Sequence, residues 1–66
     1  MLVQFTDKMT GNPVAINPKH VLCVVTHKNE ELNEEVVVIG IPSATIGVTQ
    51  NYSEVVGVIN GALATN

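Results

Sequence analysis

At 66 residues the chain has room for one domain, and a domain of this size buries only about 60% of its unfolded surface, so its stability is marginal without reinforcement. Six acidic residues against three lysines, with no arginine, give a formal charge of −3, opposite in sign to the basic balance of proteins that neutralise phosphate. Cys23 is the sole cysteine, which excludes an internal disulfide, and the longest apolar runs, Val21–Val25 and Val36–Ile41, are far too short to span a bilayer.

Twelve valines and five isoleucines favour a pleated backbone over a helical one. The first strand is expected at about residues 2–7, where Val3 and Phe5 alternate with Gln4 and Thr6. Gly11 and Asn12–Pro13 mark a turn, and Val14-Ala15-Ile16 opens a second strand over residues 13–17. Asn17–Pro18 bends the chain, because proline fixes its own φ and donates no ladder hydrogen bond. A third strand follows over residues 20–27. The acidic stretch Lys28–Glu35 reads as a solvated hairpin tip, and fourth and fifth strands are expected over residues 35–41 and 44–49, with Ile46 and Val48 inward. The period then changes. Tyr52, Val55, Val56, Ile59 and Leu63 recur at helical spacing over residues 52–63, with Asn51 placed to cap the helix and Glu54 three positions on. Gly57 and Gly61 would let this helix approach a sheet closely.

Two strands carry apolar side chains on successive positions, Val21–Val25 and Val36–Ile41, so both of their faces call for cover. One short helix covers one face. The other is expected to close on itself as a barrel or to meet another subunit, and a chain without disulfides is expected to gain stability as a homo-oligomer.

The constellations that could carry chemistry are sparse. His20, Cys23 and His27 resemble a metal site in composition, but on a strand rising ~3.3 Å per residue Cys23 and His27 lie ~13 Å apart, with His20 on the opposite face. Zinc ligands must instead converge at about 2.0–2.3 Å from one ion. Cys23 is expected to be a buried core residue, with no cationic neighbour or oxyanion loop to activate it. Ser43 and Ser53 fall in turn and cap contexts. Glu30, Glu31, Glu34 and Glu35 lack the alternating ligands and central glycine of a calcium loop. Tyr52 could stack on a base but is expected to pack in the helix stripe. No catalytic, metal or cofactor residue is assigned. For a phosphate backbone the available cations are Lys19, Lys8 and Lys28, with Lys19 foremost because it follows the Asn17–Pro18 bend.

The short strands, the bend at Asn17–Pro18 and the lack of a catalytic set resemble, over residues 2–64, the Sm-like (LSm/Hfq-type) fold. More narrowly, the chain is similar to small Sm-like proteins of phage or environmental-sequence origin. That resemblance implies a single, mostly β domain over residues 1–66: a strongly bent five-stranded Sm-like barrel with a short C-terminal α-helix. It also implies edge-to-edge assembly into a cyclic ring, a pentamer foremost, with single-stranded RNA as ligand. Ile39-Gly40 carries the glycine of the second Sm signature without its arginine, so no RNA-contact residue is carried over. Ile16-Asn17-Pro18, Val21, Val24 and the helix residues Val55, Val56 and Ile59 also resemble the small FlbD-like flagellar proteins. The expectation is a non-enzymatic cytoplasmic homo-oligomer with no membrane segment, cofactor or small-molecule substrate. It acts either as an RNA-binding ring or as a protein-interaction scaffold without nucleic acid.

Overall fold

The computed structural model describes residues 1–65. Five strands precede one helix: β1 (Val3–Thr6), β2 (Pro13–Ile16), β3 (Cys23–Asn29), β4 (Glu34–Ile41), β5 (Ala44–Val48) and α1 (Tyr52–Ala64), with a 3₁₀ turn at Pro18–His20. β1 pairs antiparallel with β2, and β3-β4-β5 form an antiparallel meander. The two sheets are stitched end to end. Asp7 bridges Val48, the Lys8 N–H donates to the Gly47 carbonyl at 2.8 Å, and the Thr49 N–H donates to the Thr6 carbonyl at 3.0 Å. The resulting order is β2-β1-β5-β4-β3.

The core follows the alternation in the sequence. Val3 and Phe5 of β1 point inward together with Ile16, Val37, Ile39 and Val48, while α1 supplies Val55, Ile59 and Ala62. Ile39 and Val55 are fully shielded from solvent. Helix α1 begins where the sequence predicts: Asn51 sits in an extended conformation and its Oδ1 accepts the Glu54 N–H at 2.8 Å. That bond satisfies one of the four N–H groups that the first turn leaves without a helical partner. Just upstream, Gln50 locks the helix entry to β1. Its Oε1 accepts the Thr6 N–H at 3.0 Å, and its Nε2 donates to Thr6 Oγ1 at 3.2 Å.

Several expectations are corrected. The two sheets do not close into a barrel, because β2 and β3 are not hydrogen-bonded to each other. Asn17 and Pro18 explain the gap: the Asn17 side chain accepts the Lys19 N–H at 3.0 Å, and the backbone winds into the 3₁₀ turn instead of continuing as strand. The same turn delays β3, which begins at Cys23 and runs on to Asn29. Gly57 and Gly61 do not approach a sheet, since a Cβ at either would meet nothing within 4 Å. Tyr52 and Leu63 lie at the margin of the helix stripe and are 48% and 42% exposed. No helix among the described residues is long and apolar enough to cross a membrane.

Candidate interaction surface

The alternation that sends Val37 and Ile39 into the core turns Val36 and Val38 to the opposite face of the meander. The register extends this second face across three strands. His27 lies opposite Val36, Val25 opposite Val38 and Cys23 opposite Gly40, while on the other side Val38 faces Gly47 and Gly40 faces Thr45. Two glycines keep it low. A Cβ at Gly40 would lie 2.8 Å from Cys23 Sγ, and one at Gly47 would lie 3.3 Å from Val36 Cγ1. The thiol and the valine methyl therefore occupy the space that side chains at Gly40 and Gly47 would fill. The surface so formed is apolar and shallow, and α1 lies on the other side of the sheet, in the core.

This arrangement overturns the expectation of a buried cysteine. Cys23 is exposed, because it projects from the face that the chain does not cover. Val25 on the same strand is 48% exposed, and Leu22, immediately before β3, is 70% exposed. The face Cys23 occupies follows from the β3-β4 register, which sets Cys23 opposite Gly40 and Val25 opposite Val38.

His20 lies in the 3₁₀ turn while Cys23 and His27 lie on β3, and no group of three His, Cys, Asp or Glu side chains converges on a metal position among the described residues. A cleft of ≈ 410 Å³ opens beside the start of α1, with Lys8, Thr26, Glu35, Thr49, Asn51 and Tyr52 in its wall. The hydrogen bonds of its lining serve the fold: Gln50 holds Thr6 and Asn51 caps the helix.

The three lysines do not form one patch. Lys8 Nζ stands 3.9 Å from Glu34 Oε2, and Lys28 lies directly across the β3-β4 ladder from Glu35. Both cations therefore face carboxylates. Lys19 stands apart, exposed on the 3₁₀ turn, and pairs with no carboxylate among the described residues. In the sequence the three lysines stand singly, and only the β3-β4 register sets Lys28 against Glu35. The alternating glycines and valines of residues 36–47 were the available signal for the flat apolar face.

Compared with protein-family models, with curated proteins and with solved structures, the chain has no match.

Proposed function

We propose that this protein is a non-enzymatic association module of the cytoplasm, acting as a homo-oligomer through the uncovered side of the β3-β4-β5 meander. The observation that carries the reading is the face bearing exposed Cys23 and Val25 beside half-buried Val36 and Val38, with no strand or helix among the described residues laid over it. Burying such a surface contributes roughly 25 cal/mol for each Å² removed from water, which matters in a chain with so small a core. Sedimentation velocity at micromolar concentration is the test. A stable oligomer is expected, and a folded monomer across that range overturns the proposal.

A second reading is an Sm-like ring that binds single-stranded RNA. Its support is the strand order β2-β1-β5-β4-β3, which leaves a single seam between β2 and β3, so that one further pairing would complete a five-stranded barrel. Lys19 is its exposed cation, with Lys8 and Lys28 available if they exchange a carboxylate for phosphate. Affinity for a uridine- or adenine-rich strand should then fall with salt at a slope of roughly −0.7 per phosphate neutralised. Replacing the three lysines with glutamine should weaken binding alike for all sequences, because such contacts position the strand without reading bases. Absence of binding at low salt discards this reading and leaves the scaffold.

A further inference from the structure

Among the described residues two sheet edges are unpaired, β2 and β3, and they differ in kind. β2 is four residues long, opens with Pro13, which has no N–H to give, and is closed off by the Asn17–Pro18 turn. Short length and flanking proline are the usual protection of an edge against further pairing. β3 has neither. It is seven residues long, contains no proline or glycine, and leaves five residues exposed: Cys23, Val25, Thr26, His27 and Lys28. One side of its backbone pairs with β4, and the other is hydrogen-bonded to no described strand. A long, valine-bearing edge of this kind is a template for another strand.

The charges at its two ends say which strand. Lys19 lies in the 3₁₀ turn just before β3, whereas Glu30 and Glu31 lie in the turn just after it. A seven-residue strand separates these ends by about 20 Å. That exceeds the Debye length of about 8 Å at physiological salt, so within one chain they barely sense each other. An antiparallel copy of the same strand reverses the order and sets each Lys19 end beside the partner's Glu30–Glu31 end, twice over by symmetry. A parallel copy would set like charges together at both ends.

Resting on the association reading above, we propose that two copies join edge to edge along β3, antiparallel about a two-fold axis, into one continuous sheet ordered β5-β4-β3-β3-β4-β5. In the register of greatest overlap Thr26, the midpoint of Cys23–Asn29, faces the same residue of the second copy. The apolar faces of the two meanders then run on as one surface, with both helices on the opposite side. The edge contact is isologous, so it joins two copies and builds no filament, and it leaves the joined apolar surface free for the face-to-face association proposed above.

The test joins a cross-link to a charge reversal. Facing residues of antiparallel strands lie about 4.5–5.5 Å apart at Cα, inside the range a disulfide spans. Thr26→Cys in a Cys23→Ser background should therefore oxidise to a covalent dimer. The control Thr45→Cys in the same background, on β5 two strands from the edge, should remain uncross-linked. Separately, Lys19→Glu should weaken dimerisation by about tenfold, and adding Glu30→Lys and Glu31→Lys should restore it. An oligomer that forms normally but gives no Thr26→Cys cross-link and ignores Lys19→Glu overturns the β3 pairing while association stands. A ring larger than a dimer does the same and assigns the contact to β2 against β3. A monomeric parent chain overturns both proposals.

Discussion

Ile39 and Val38 are neighbours on β4 that face opposite sides of one sheet, and exchanging each for a smaller or more polar residue separates the two roles of that strand. Ile39 is fully buried, flanked on the core face by Val24 across the β3 ladder and Ile46 across the β5 ladder. Ile39→Ala removes three carbons, about 2.4 kcal/mol of transfer free energy at 0.8 kcal/mol each, and leaves a cavity in addition, for a total of about 3–4 kcal/mol. At roughly 0.05–0.15 kcal/mol per residue a chain of this length holds about 3–10 kcal/mol, so the variant sits near its unfolding threshold. Val38→Thr keeps the β-branched shape on the uncovered face and should change the stability of the single chain by less than about 1 kcal/mol. It should nonetheless weaken association by placing a hydroxyl in the apolar patch. Urea unfolding followed by circular dichroism, at one low protein concentration because association adds to apparent stability, reads the first effect. Sedimentation reads the second. The assignment of the two faces fails if Ile39→Ala lies within about 1 kcal/mol of the parent, or if Val38→Thr destabilises the chain as much as Ile39→Ala does.

Three further outcomes follow from particular contacts. Asn51→Ala deletes the acceptor for the Glu54 N–H and should lower stability by about 1 kcal/mol, seen as a fall in Tm of about 4–8 °C; an unchanged melting curve would show that the cap is dispensable. Gln50→Ala leaves the Thr6 N–H without its side-chain partner and should cost about 1–2 kcal/mol, with faster amide exchange at Thr6, whereas Gln50→Glu keeps the acceptor and should lose less. In dilute native protein Cys23 should react with a thiol reagent nearly as fast as in the unfolded chain, and protection from labelling there would contradict its exposed position.

Much of the local architecture is legible in the residues. Val3-Gln4-Phe5-Thr6 has the period of a half-buried strand, and the core takes Val3 and Phe5. Val55 and Ile59 are spaced for one helical face, and Asn51 has the side chain and position of an N-cap; both appear in place. These features depend on neighbours within a turn or a strand repeat, where geometry is set by the backbone period itself. The need of β4 for cover on both faces is equally plain in Val36-Val37-Val38-Ile39, because alternation must send some of a continuous apolar run each way.

What only the tertiary structure decided is long-range. Whether Cys23 is buried depends on which side of the meander receives α1, whose start is tied to β1 by the Gln50–Thr6 hydrogen bonds between residues far apart in the chain. Whether Lys28 is a free cation depends on the register that sets it against Glu35. Whether five strands close into a barrel depends on a pairing between β2 and β3 that the 3₁₀ turn interrupts. Periodicity states that a side chain needs a partner. Only the path of the chain through space states which partner it meets.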